Sequence, residues 1–247
     1  MYKSFSLLLC FFVIGQCSLV FADITTDRPD FTESPEIVPL KSLQVEGGYT
    51  ISKTGSETEQ AIGEILIRHP IIKNFEFRLG VNSYKVSSLG SGMEDTVLGI
   101  KTQVIEGKSW VPNTAFIFQT SIPTGALIYR VNSFQPGIKL AMGWDLTETT
   151  AFSTNINYSV LASGGTSFSQ GAVSFSLGHS FNDSWGGYLE YFGFFPEDIS
   201  SGSAQYLNTG ITYLITSNYQ FDVRAGLNIA RQSDFFVGIG LSNKWEF

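Results

Sequence analysis

The chain has 247 residues, with 15 Lys+Arg against 22 Asp+Glu and a formal net charge of −7. That acidic balance argues against a nucleic-acid partner, which rewards basic surfaces. Beyond the first two dozen residues no apolar run approaches the length of a membrane-crossing helix, so a helical membrane protein is excluded.

The first element is an export signal over residues 1–22. Lys3 supplies the basic start, Phe5–Phe21 the apolar core, and Ala22 a small residue suited to cleavage. The core is short for a span of about 20 residues, and Gln16 is a poor neighbour for lipid attachment at Cys17. If Asp23 begins the mature chain, both cysteines (Cys10 and Cys17) leave with the signal, together with Lys3. Disulfides and thiolate metal sites are then excluded, and no metal or other cofactor is expected.

Residues 23–40 form an extended segment, periplasmic or luminal. "TTDRPDFTESPEIVP" cannot be a strand, because Pro29, Pro35 and Pro39 lack the N–H that a ladder needs. It either hangs as a loose tail or enters an interior. There Asp27, Arg28 and Asp30 could meet opposite charges, Pro29 would keep the chain extended, and Phe31 would need an apolar or aromatic seat.

Residues 41–247 read as twelve strands. "TAFSTNINYSVL" places Phe152, Thr154, Ile156, Tyr158 and Val160 on one face and Ser153, Asn155, Asn157 and Ser159 on the other. That period of two marks a strand. The segments fall near 41–51, 62–70, 73–84, 94–105, 112–122, 134–144, 149–160, 170–181, 185–195, 204–215, 219–230 and 234–247. Most have the roughly 9–11 residues that a tilted strand needs to cross a bilayer. Connections after odd strands are mostly long and those after even strands short, the layout of bacterial transmembrane barrels. Both ends of the barrel domain then lie on the periplasmic side.

The charges sort by face. One face carries Phe75, Phe77, Phe116, Phe118, Ile138, Leu140, Val237, Ile239 and similar residues. The opposite face carries Glu46, Glu64, Arg68, Glu76, Arg78, Lys101, Lys139, Asp145, Glu190, Asp222, Arg224, Lys244 and Glu246. Arg or Lys facing mid-bilayer lipid costs about 2–4 kcal/mol, so a barrel keeps charge inside. These residues are the candidates for a lumen lining, whether as rigid ion pairs or as the walls of a polar path. A soluble sandwich alternates too; the export signal, the even strand count and the loop asymmetry favour the membrane barrel. Phe192, Phe194 and Phe195 read as rings near the outer rim, packed as an interfacial girdle or offering apolar access.

Two residues suggest chemistry and one motif suggests assembly. His179 in "GHSFND" invites comparison with outer-membrane phospholipases, but the spacing departs from theirs, and His179 and His69 both sit at turn ends of strands as interfacial rings. The chain closes on "NKWEF", with Trp245 and Phe247 on the outward face. This resembles the C-terminal signature that barrels present to the outer-membrane assembly machinery, with Asn243 where an apolar residue is usual.

"TDRPDFTESPEIVPLKSLQVEGGYT" resembles the start of the outer-membrane transporters named for the meta-pathway of phenol degradation. Thr26–Pro35 and Gln44–Tyr49 carry the likeness, while Pro39-Leu40-Lys41 lacks that family's glycine. The resemblance implies a twelve-stranded barrel passing small, aromatic or hydrophobic compounds, and confers no catalytic residue.

The reading is therefore an all-β, antiparallel transmembrane β-barrel of the bacterial outer membrane. It would be monomeric, surrounded by outer-membrane lipid, and a passive porin-like channel for small molecules rather than an enzyme. A lipid-modifying enzyme and a structural or adhesive barrel are the alternatives.

Overall fold

Period-two alternation builds one closed wall. The computed structural model describes residues 24–197, 203–230 and 234–247; the expected signal peptide, with Cys10 and Cys17, lies outside the described residues. The strands are β1 (Ser42–Thr54), β2 (Glu57–Ile72), β3 (Phe75–Ser87), β4 (Gly90–Met93), β5 (Thr96–Ile105), β6 (Asn113–Ile122), β7 (Gln135–Asp145), β8 (Thr150–Ser163), β9 (Thr166–Ser180), β10 (Trp185–Pro196), β11 (Ala204–Thr216), β12 (Tyr219–Asn228) and β13 (Phe235–Glu246). Twelve of them pair antiparallel around a full circle, closed where β1 meets β13 from Ser42↔Glu246 to Lys53↔Phe235. β4 is an extra flap paired only to the far end of β3. Closure leaves the twelve-strand wall without an edge and satisfies its backbone within the wall, which hydrocarbon demands.

The burial pattern is that of a soluble protein turned inside out. Phe77, Ile156 and Ile239 are 37%, 53% and 49% exposed, whereas Glu46, Glu76, Lys101 and Asp222 are fully buried. The apolar face therefore looks out and the ionic face looks in. Trp144, Trp185 and Trp245 lie at strand ends on the side that carries the chain terminus, and Trp110 lies in the β5–β6 connection on that same side. Trp144 packs on Phe152 and Trp185 on Tyr213, at 5.7 and 4.6 Å. Amphipathic rings concentrated at one level form an interfacial girdle. This is the inner end of the barrel, and the opposite end is the outer one.

The connections differ from expectation at three hairpins. In place of the long loops after β1, β3 and β8 the strands run on and turn within two residues, the third-strand hairpin folding back as β4. Gly55 at φ +61°, and Gly164 and Gly165 at +59° and +82°, supply the left-handed backbone that such turns need. The outer end is thus raised by protruding hairpins as well as by the long connection from 123 to 134.

Candidate functional site

The segment 24–40 is not a tail; it loops through the lumen. Ile24 N donates to Ser217 O at the inner β11–β12 turn (2.8 Å), the chain climbs to Phe31, and it then returns to join β1 at the inner end. Lacking a ladder, its backbone bonds to wall side chains. Asp27 N and Arg28 N both donate to Glu46 at 3.0 Å, Phe31 N and Thr32 N to Glu190 at 3.0 and 2.7 Å, and Val38 N to Glu76 at 3.0 Å. Asn155 takes Glu33 N and gives to Glu33 O, at 2.7 and 2.9 Å, as a strand partner would. Carbonyls are served by cations: Thr25 O and Glu36 O by Arg68 (2.9 and 3.0 Å), Ser34 O by Lys101 (2.7 Å) and Pro29 O by Arg224 (3.1 Å). Bonds of this charge-assisted kind are the strong ones, about 1.5–3 kcal/mol each.

The side chains of the segment complete an ion network. Asp27 meets Arg78 at 2.6 Å, Lys101 at 3.1 Å and Arg68 at 3.4 Å. Arg28 bridges Glu64 (2.9 Å) and Asp222 (3.3 Å), and Glu33 bridges Arg78 (2.7 Å) and Lys139. Within the wall, Arg68 also pairs with Glu46 and Glu76 at 3.1 and 3.0 Å. A charge taken out of water needs a partner and further hydrogen bonds, and here most are supplied by the looped segment.

Of the wall residues singled out from the sequence, Glu46, Glu64, Arg68, Glu76, Arg78, Lys101, Lys139, Glu190, Asp222 and Arg224 therefore gather around residues 25–38. Lys244 and Glu246 pair with each other at the inner end of β13, at 3.0 Å, with Glu246 exposed. Asp145 is exposed at the inner end of β7.

Phe31 finds an aromatic seat that the sequence reading placed elsewhere. Phe192 and Phe194 point into the lumen, with ring centroids 4.7 and 5.2 Å from Phe31, while Phe195 faces outward. Of the three expected rim rings, two are thus interior. Tyr206 and Phe236 extend the cluster, Lys139 Nζ lies 5.9 Å from the Phe31 ring centroid, and Arg224 lies 5.5 Å from that of Phe236. The parity signal was available: Phe192 and Phe194 stand two and four residues from Glu190, on its face.

Glycine makes room for the segment at β1 and β13. A β-carbon at Gly48 would lie 2.4 Å from Arg28 Nη2, and one at Gly240 2.4 Å from Arg28 Nε. Arg28 thus lies flat on bare wall.

Water-accessible space remains on both sides. An outer cavity of about 420 Å³ is lined by Phe31, Phe192, Phe236, Lys139 and Arg224, and a neighbouring one of about 340 Å³ by Asn82, Gln119 and Lys139. An inner cavity of about 440 Å³ is rich in hydroxyls, among them Thr26, Thr32, Ser153, Ser176, Tyr188 and Thr212. His179 Nδ1 shares a hydrogen bond with Thr150 Oγ1 (2.9 Å), and His69 Nδ1 lies 3.0 Å from Ser42 O, so each ring ties down a strand near the inner end. No cluster of three or more His, Cys, Asp or Glu able to hold a metal occurs among the described residues.

A closed twelve-strand wall with apolar residues facing out and an ionic lumen defines an antiparallel β-barrel of the transmembrane kind. The chain belongs to the family described as "Putative MetA-pathway of phenol degradation", whose profile matches residues 26–245. This agrees with the resemblance drawn from the N-terminal residues. Two solved structures are similar in fold. One is the NanC porin, at 11% identity and a TM-score of 0.58 over 81% of this chain and 98% of that one. The other is an outer membrane channel from Pseudomonas putida F1, at 14% identity and a TM-score of 0.65 over 85% and 97%. No curated protein sequence matches the chain.

Proposed function

We propose that the protein is a passive channel of the bacterial outer membrane for small solutes that present an aromatic or other apolar face. Its inner end would be periplasmic and its outer end extracellular. The observation that carries this reading is the outer cavity, where the half-buried rings of Phe31 on the looped segment and Phe236 on the wall, backed by the buried Phe192, form an aromatic patch within an otherwise ionic lumen. Rings stack favourably at centroid distances of about 4.5–7 Å, and Lys139 and Arg224 beside them suit a solute that also carries a polar or anionic group. The family description and the two channel-type folds support the same direction.

One chain closes the wall by itself, which supports a monomer as the working unit. Trp245 and Phe247, 48% and 74% exposed on the outward face, remain our candidates for recognition by the barrel assembly machinery. Chemistry at His179 gains no support from its partner, a threonine hydroxyl.

Planar-bilayer recording tests the channel. The purified protein should give small unitary currents that an aromatic carboxylate such as benzoate reduces, and Phe192→Ala should weaken that block. A protein that never conducts overturns the reading.

A further inference from the structure

The inner and outer cavities are divided by the looped segment, and Arg28 and Asp30 line both of them. The two sides of this divider are built differently. Toward β3–β8 the segment is tied by Lys101 to Ser34 O, by Arg78 to Glu33 and by the two bonds from Asn155 to the Glu33 backbone. That side is sewn to the wall.

Toward β10–β12 the segment is held at separate points, by Glu190 at Phe31 and Thr32, by Arg224 at Pro29 O and by Asp222 at Arg28, and polar atoms between these ties are left open. Tyr188, Gly210 and Arg224 lie in one row across these strands, since Tyr188 pairs with Gly210 and Gly210 with Arg224. Asn208, opposite Glu190, is the next lumen-facing position toward the outer end. Tyr188 Oη, Asn208 Oδ1 and Arg224 Nε are buried and complete no hydrogen bond of good geometry, although the Tyr188 hydroxyl and the Asn208 amide are near neighbours. Such atoms number six among the described residues, and half of them meet at this divider. Buried polar atoms are nearly always satisfied, and an exception calls for water or another polar guest. Tyr188 lines the inner cavity while Asn208 and Arg224 line the outer one, so the row spans the boundary between them.

We propose that solute crosses the divider along the β10–β12 wall, between Asp30 and the row Tyr188, Asn208 and Arg224, and that these residues set the narrowest cross-section. A hydroxyl or amide solute suits them. Arg224 Nε donates, Asn208 Oδ1 accepts and Tyr188 Oη does either, so one hydroxyl can bond in turn to each as it passes. Asp30 is the part of the passage that belongs to the segment rather than to the wall. The inference rests on the channel reading.

The two are separated by recording one membrane before and after thiol modification. Residues 24–247 contain no cysteine, so a single introduced thiol is unique. Tyr188→Cys and, on the same wall, Thr212→Cys are compared with Gln119→Cys, which lines the cavity on the opposite wall. Each variant is checked for a heat-modifiable folded band, and its labelling by a charged methanethiosulfonate is read by mass. Labelling at 188 or 212 should lower the unitary conductance at least about twofold, because a charged group in a narrow polar path blocks it. Labelling at 119 should change it little. Current that survives labelling at both 188 and 212, or that falls only on labelling at 119, overturns the route while the channel stands. Absence of current before any reagent is added overturns both.

Discussion

The guanidinium of Arg28 occupies the space that a side chain at Gly48 would need: a β-carbon there would lie 2.4 Å from Nη2. A glycine on a lumen-facing strand position is thereby explained by a residue twenty positions earlier that is not part of the wall. Gly48→Ala should push Arg28 off the wall and break its bonds to Glu64 and Asp222. Two such bonds are worth a few kcal/mol at most, since each charge-assisted bond contributes about 1.5–3 kcal/mol and Glu64 keeps Arg224. The thermal midpoint in detergent should fall and the unitary conductance rise. Gly178→Ala, where a β-carbon would meet nothing within 4 Å, should leave both unchanged.

Glu190 is the clasp at the tip of the loop. It accepts from Phe31 N, Thr32 N, Thr32 Oγ1 and Asn208 Nδ2, at 3.0, 2.7, 2.6 and 2.7 Å. Every one of these partners is a donor. Glu190→Gln replaces one acceptor oxygen by an NH₂ that would face donors, so it should be nearly as damaging as Glu190→Ala. Leaving buried groups unpaired costs about 1–3 kcal/mol apiece. Proteolysis of the segment, followed by mass spectrometry, should become much faster in both variants. A Gln variant as resistant as the parent would contradict the donor-only environment.

How much of this was legible follows from what imposes a pattern. Hydrocarbon acts on every second residue, so Phe77 and Arg78 or Ile156 and Asn157 declare their faces from sequence alone. Beyond the membrane that pressure stops. The outer halves of β1 and β2, ending in Thr54 and Glu57, and the flap "GSGM" have no alternation to read, and their extents were missed. Charged lumen positions were visible for the same reason as the strands. Their partners were not, because pairs such as Arg28 with Asp222 or Thr32 with Glu190 are set by where a ladderless segment threads, and nothing in a local window encodes that. Phe192 was misplaced because its ring chemistry suits a girdle; its parity with Glu190 carried the right answer.

The outward face makes a prediction independent of the lumen. Ile156 is 53% exposed near the middle of β8, between Asn155 and Asn157, which are buried. Ile156→Lys should destabilise the barrel in lipid by about 2–4 kcal/mol, the cost of an ammonium at the bilayer midplane. Urea titration in liposomes measures this. A near-neutral result would mean that this face meets water.

Removing the loop separates its two effects. The ten wall residues that surround it are balanced, with Arg68, Arg78, Lys101, Lys139 and Arg224 against Glu46, Glu64, Glu76, Glu190 and Asp222. Residues 24–36 add one arginine, Arg28, against four acidic residues at 27, 30, 33 and 36, a formal surplus of three negative charges. Deleting 24–36 lets water replace the segment around those wall charges, so the closed ladder should persist as a heat-modifiable band, with a lower midpoint. Conductance should rise severalfold as the lumen empties. Any cation preference of the parent, read from the reversal potential in a salt gradient, should shrink toward none, because selectivity follows the charge that lines the path. A larger current with unchanged selectivity would place the selecting charges on the wall, and would detach the role of Asp27 and Glu33 as counterions from any role in permeation.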